Sequence, residues 1–255
     1  MHNNKKPAII KHSVSIEGQR VHYQVAGEGE PLILVHGLCA STLWWIRNVE
    51  GLARHYRVYL VDLPGFGTMW RMRDPFDLTK AASWLLKWLE GVGIQRAHFA
   101  GHSMGGYICM TIAARRPEMV GRLILVSPAV WVQIRSVFGY VLPLLAGARY
   151  CPPAFFPILF YDTLRTGLPR LVRTAQQIIA IEMREEMQAI QAPTLLIWGE
   201  YDTLVSPSIA PQVRAAIAGS RLLVLPGAGH VSMFDHFEVF NTAALSFLGG
   251  EEVGS

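Results

Sequence analysis

The chain has 255 residues, of which 51% are hydrophobic and 16% charged, a balance that excludes intrinsic disorder and allows a sizeable core without disulfide or metal staples. Its formal net charge of +4 comes mostly from scattered arginines with no stripe of basic and aromatic residues, so nucleic-acid binding is not expected. Three cysteines, Cys39, Cys109 and Cys151, are too few and too scattered for a disulfide framework or a zinc site, and they point to a reducing, cytoplasmic setting.

From Met1 to Lys11 the only apolar run is Ala8-Ile9-Ile10, shorter than a secretory signal needs. Ser13 to Ile16 and Val21 to Val25 alternate as short strands around Glu17-Gly18, a hairpin signal. Four continuous apolar runs follow: Leu32 to Val35, Val58 to Val61, Ala97 to Ala100 and Leu123 to Val126. Bounded by Gly, Pro or Asp, such runs suit strands buried on both faces of a parallel sheet. Between them, Leu78 to Val92 places Ala81, Ala82, Leu85, Leu86 and Leu89 on one helical face, and Tyr107 to Arg115 reads as a second helix buried against the sheet.

After Pro128 the strand signals stop. From Ala129 to about Ile190 the chain is proline-punctuated and apolar, then amphipathic and helical from Leu168 to Ala189. Val137 to Phe160 comes nearest to a membrane span, but Pro143, Pro152, Pro153 and Pro157 break it, so no transmembrane segment is expected. The sheet pattern resumes with Thr194 to Trp198, a helix over Ser208 to Ala218, a strand at Leu222 to Leu225 and a closing helix from Phe234 to Leu248. The predicted fold is α/β: a doubly wound, mostly parallel sheet of about eight strands flanked by helices. Residues 1–128 and 191–255 form its core, and 129–190 a helical lobe inserted in it.

The strongest chemical signal is Gly101-His102-Ser103-Met104-Gly105, between the third parallel run and a helix. A serine on so sharp a strand-to-helix turn is held strained with its hydroxyl exposed, and Gly101 and Gly105 leave room for the turn. A glycine-rich turn with an incidental serine is the plain alternative, which the flanking strand and helix disfavour. Serine needs a base. Of nine histidines, His230 in Gly227-Ala228-Gly229-His230 lies just past the last strand, at the carboxyl edge where α/β sites form. His102, beside Ser103 but across the turn, reads as structural, and His36 belongs to another loop. Asp202, after the strand Thr194 to Trp198, is the acid expected to orient the imidazole, with Glu200 second and Asp62 third. Asp62 reads as a residue that fixes the turn after its own strand. The backbone amides of Leu38, after His36-Gly37, and of Met104 are the expected donors to an oxyanion.

Together these elements resemble the α/β-hydrolase family. The order Ser103, Asp202, His230 matches that family's order of nucleophile, acid and base. The segments His36-Gly37, Asp62-Leu63-Pro64-Gly65-Phe66-Gly67, Trp198-Gly199-Glu200-Tyr201-Asp202 and Gly227-Ala228-Gly229-His230 look like its hallmarks. The resemblance implies that the helical lobe caps the active site. Relatives that open epoxides or displace halide carry aspartate at the nucleophile position, so Ser103 disfavours those activities. The expectation is a carboxylic-ester hydrolase for small to medium apolar substrates, working through an acyl-enzyme with no metal or organic cofactor. The alternatives are carbon–carbon bond hydrolysis of meta-cleavage type or perhydrolysis with the same triad, and a non-catalytic ligand-binding protein. Trp44, Trp131, Phe138, Val205 and Val231 flank the motifs as candidates to line the substrate pocket. The apolar lobe is also a candidate surface for a lipid interface or for a homodimer through the cap.

Overall fold

The computed structural model describes residues 6–71 and 76–254; the first five residues of the leader lie outside them. The apolar runs form one eight-stranded sheet in the order β1-β2-β4-β3-β5-β6-β7-β8. The strands are β1 Ile9–Ile16, β2 Gln19–Ala26, β3 Pro31–Val35, β4 Arg57–Val61, β5 Ala97–His102, β6 Val120–Val126, β7 Thr194–Gly199 and β8 Arg221–Leu225. β1 and β2 pair antiparallel, as do β2 and β4, and the pairings from β4 through β8 are all parallel. Glu17 and Gly18, with φ of 50° and 77°, turn the predicted hairpin.

Ten helices accompany the sheet among the described residues: α1 Ile46–Leu52, α2 Leu78–Val92, α3 Met104–Arg115, α4 Val141–Ala148, α5 Phe156–Thr166, α6 Leu168–Ile179, α7 Arg184–Ala189, α8 Ala210–Ala216, α9 Ser232–Asp235 and α10 Phe237–Leu248. Alternation along each strand divides the apolar side chains between two cores. Ile33, Tyr59, Phe99, Leu125 and Trp198 face α2, α3 and α8. Leu32, Leu34, Leu60, Ile124 and Ile197 face Trp45, α1 and α10. Because each strand serves both cores, its run reads as continuously apolar.

The predicted helix over Leu78–Val92 has the predicted ends. Asp77 accepts a hydrogen bond from the Thr79 amide at its start, and Gly93 closes it at φ 82°. Other boundaries differ. β1 begins at Ile9, before the alternation becomes readable, because this exposed edge strand is held by its ladder to β2 (Ile9 opposite Ala26) and not by burial. α3 starts at Met104 and includes Gly105 and Gly106, whose low helix propensity is overridden by tight packing against the strands. The amphipathic stretch 168–189 breaks between α6 and α7, and the closing helix breaks at His236.

Between β6 and β7 the described chain is helical without strands. This lobe rests on loops that leave the carboxyl ends of the strands. Ser41 donates to Asp162 (2.9 Å), and Thr203 donates to the Pro143 carbonyl (2.6 Å). Arg170 donates to the Gly65 carbonyl (2.7 Å) and Arg165 to that of Gly67 (3.3 Å). The lobe therefore contacts the loops at the edge of the sheet where Ser103, Asp202 and His230 emerge. Among the described residues no helix is long and apolar enough to cross a membrane.

Candidate active site

Ser103 ends β5 and begins α3 with φ 51° and ψ −114°, a conformation that L-residues avoid unless the surroundings impose it. Two close approaches impose it here. A Cβ on Gly101 would lie 2.5 Å from the Gly105 carbonyl oxygen, and one on Gly105 would lie 2.3 Å from that of Val35. The turn is tied down by the Ser103 amide donating to Val126 (2.9 Å) and by its carbonyl accepting from Ala129 (3.0 Å). The hydroxyl is left at the top of the sheet, at the N-terminus of α3, where the helix dipole favours negative charge.

The loops after β7 and β8 meet at the same edge. A Cβ on Gly199 would lie 2.0 Å from the Gly229 carbonyl oxygen, and the Tyr201 amide donates to Ala228 (2.9 Å). This contact brings Asp202 to His230, whose Nδ1–H donates to Oδ2 at 2.8 Å. The other carboxylate oxygen of Asp202 accepts from the amides of Leu204 and Val205, each at 2.9 Å. The acid is thus buried, and both of its oxygens are engaged. The bond from Nδ1 leaves His230 Nε2 as the basic nitrogen. No hydrogen bond joins Nε2 to the Ser103 hydroxyl in this conformation, a contact that often closes only with substrate in place. Glu200, second choice for the acid, instead accepts from the Gly227 amide at 2.9 Å.

Two further groups hold the His230 loop. His102, buried beneath it, donates from Nε2 to the His230 carbonyl (2.9 Å), and the two rings lie 4.7 Å apart. Burial holds His102 well below the ordinary histidine range, so it is a neutral strut. Asp235 accepts from the Gly229 amide at 3.0 Å. Sequence reasoning placed His102 as structural without finding this partner. It missed Asp235, whose one signal is its position just beyond the histidine.

On the facing loop, His36 donates from Nδ1 to the Gly37 carbonyl (2.8 Å) and accepts from the Leu63 amide at Nε2 (2.9 Å). Burial lowers its pKa, which keeps it neutral for both contacts. A Cβ on Gly37 would lie 3.3 Å from Ser103 Cβ, so this loop lies directly against the elbow. Among the described residues, neither the Leu38 nor the Met104 amide has an acceptor in the protein. Asp62 sits behind the loop, accepting from Thr42 (2.8 Å) and from the amide and hydroxyl of Thr68 (2.7 Å each).

The pocket candidates divide. Val205, three residues beyond Asp202, and Val231, directly after His230, are buried. Trp44 is buried, 5.7 Å from the His102 ring and 4.7 Å from Phe155. Trp131 is half-buried at φ 45°, with the Arg184 guanidinium 5.4 Å from its ring. Phe138 departs from expectation. It is 87% exposed, in a turn whose residues include none that is buried.

Asp162 of α5 was not foreseen. Its Oδ2 accepts from Ser41 (2.9 Å) and from Trp44 Nε1 (3.0 Å), and Oδ1 is buried with no partner. Burial pushes its pKa up to about 6. Beside it, Thr163 is 3.0 Å from Cys39 Sγ. Cys39 has φ 58°, and its thiol is pushed up in pKa by burial. A surface cavity of about 450 Å³ beside Pro31 and Arg57 lies at the amino ends of β3 and β4, the opposite edge of the sheet.

A family model described as the alpha/beta hydrolase family matches residues 32–243. The chain is 30% identical to a 2-hydroxy-6-oxononadienedioate/2-hydroxy-6-oxononatrienedioate hydrolase of Paraburkholderia phymatum, over 90% of this chain and 91% of that one. It is also 30% identical to the dihydrolipoyllysine-residue acetyltransferase component of the acetoin cleaving system of Pseudomonas putida, over 89% of this chain and only 65% of that protein. Among solved structures, a bacterial membrane phospholipase A described as a virulence factor superposes with a TM-score of 0.80 at 28% identity, covering 95% of this chain and 86% of that one.

Proposed function

The chain belongs to the alpha/beta hydrolase family, and from that premise we propose that it is a serine hydrolase cleaving carboxylic esters of small to medium apolar substrates. Ser103 Oγ attacks the carbonyl carbon while His230 Nε2 takes its proton. The amides of Leu38 and Met104 hold the oxyanion of the tetrahedral intermediate. Its collapse breaks the ester C–O bond, and His230 returns the proton to the departing alkoxide. Water, deprotonated by the same imidazole, then attacks the acyl-enzyme, releasing the acid and restoring Ser103. Asp202 holds the ring in the required tautomer and faces the imidazolium charge. Residues 129–190 act as the cap, and Trp44, Trp131, Val205 and Val231 line the acyl side.

The observation that carries this reading is the 2.8 Å contact between His230 and Asp202, on a loop tied by His102 to the elbow that presents Ser103. The choice of an uncharged ester rests on the rim. Arg165 and Arg170 of the lobe donate to backbone carbonyls, while Arg135, Arg149 and Arg173 are exposed. The buried carboxyl of Asp162 beside Trp44 opposes an anionic acyl group. The solved relative described as a phospholipase A is by that name an ester hydrolase, which supports the bond type.

A second reading, carbon–carbon bond hydrolysis of a dienoate ring-cleavage product, is favoured by the relative from Paraburkholderia phymatum. The test is a panel of p-nitrophenyl esters of increasing acyl length run beside a 2-hydroxy-6-oxodienoate. Turnover of the esters, lost in Ser103→Ala, supports the first reading. Faster loss of the dienoate absorbance than of any ester assigns the second.

A further inference from the structure

Two helices of the lobe turn large apolar side chains toward solvent. In α5 the buried side carries Asp162 and Thr166, while Phe156, Phe160 and Leu164, spaced four apart along one stripe, face solvent. Phe160 is 67% exposed. α4 has the sequence VLPLLAGA, with no polar side chain and no buried residue, and its Leu142 is 77% exposed. A helix in contact with water normally turns its charged residues outward, and one that is apolar all round is normally buried in protein or lipid. Neither condition is met here.

The charges around these helices are of one sign. From residue 135 to 173 the sequence carries Arg135, Arg149, Arg165, Arg170 and Arg173 against a single acid, Asp162, which is buried. We propose that the outward apolar sides of α4 and α5 dock the protein on an anionic lipid surface, with the exposed Arg135, Arg149 and Arg173 meeting the headgroups while Arg165 and Arg170 stay tied to the core loops. The arginines also argue against the other natural occupant, a second copy. A two-fold contact through this face would set the same cations against each other, with no exposed acid in the segment to meet them. α4 is moored to the core at the loop of the catalytic acid, where Thr203 donates to the Pro143 carbonyl at 2.6 Å, and the Tyr150 and Tyr201 rings stack at 4.7 Å. Docking would therefore set the bilayer directly above the candidate site.

Docking needs no turnover, so the test separates it from the ester reading. The full chain carrying Ser103→Ala is sedimented with sucrose-loaded vesicles of phosphatidylcholine alone or mixed equally with phosphatidylglycerol. Binding to the mixed vesicles is expected to be at least about tenfold tighter than to phosphatidylcholine alone, and to weaken with salt. Leu142→Asp with Leu145→Asp, and separately Phe160→Asp with Leu164→Asp, should each weaken it at least about tenfold. These positions are exposed, and unchanged circular dichroism confirms the fold of each variant. A chain that stays in the supernatant with mixed vesicles, or variants that sediment like the parent, overturns the proposal. So does a dimer in solution that the same substitutions dissociate, which assigns the face to a second copy.

Discussion

Asp162→Asn is expected to stabilise the protein in a pH-dependent way. The carboxyl has no solvent-accessible surface, and burial pushes its pKa from the usual 3.8 up to about 6, against the pull of Ser41 and Trp44. A folded-state pKa above the unfolded one means that the native state holds the proton more tightly. The stability this contributes is fully present below about pH 4 and is lost as pH rises through about 6. The shift corresponds to about 3 kcal/mol at most. Asparagine mimics the protonated acid, since its carbonyl accepts from Ser41 and Trp44 while its NH2 replaces Oδ1, which has no partner to lose. In urea titrations the two proteins should agree within about 1 kcal/mol at pH 4. At pH 8 the variant should be more stable by up to about 3 kcal/mol, or about 6–12 °C in Tm. A gap that does not change between pH 4 and pH 8, or a variant weaker than the parent at pH 8, would refute the reasoning.

Ser103→Ala and His230→Ala should each reduce kcat on p-nitrophenyl esters by about 10⁴-fold or more, since members of a triad act as a unit; a His230→Ala enzyme with most of its activity would show that the base lies elsewhere. Asp202→Asn should fold normally and lose about 10⁴-fold in kcat, whereas Glu200→Gln should stay within about threefold of the parent. His102→Ala removes the donor to the His230 carbonyl and should lower kcat about 10–100-fold with KM nearly unchanged, and an equal rise in KM would argue against a positioning role. Gly105→Ala drives a Cβ into the Val35 carbonyl oxygen, so expression as a soluble, active enzyme would contradict the packing of the elbow.

The parallel core was readable because strands buried on both faces leave uninterrupted apolar runs, as at Leu32 to Val35 and Leu123 to Val126. The elbow was readable because its glycines answer a steric demand within five residues. What the chain order hid was pairing at a distance. Ser41 meets Asp162 across 121 positions and Asn48 meets the Met233 carbonyl across 185, and no local pattern encodes either. β1 extends beyond its readable alternation because edge pairing leaves no burial signature, and the exposure of Phe138 was not legible because aromatic character does not say which way a lobe turns its rings.

The inward side of α5 grips the loop that follows Gly37 and lies against Ser103, through Cys39, Ser41 and Trp44. On the proposed function, lifting this lobe to admit substrate would also slacken the loop that carries the Leu38 amide, so that admission and assembly of the site would be mechanically one event. A transplanted lid should misfunction unless residues 39–44 of its original host travel with it.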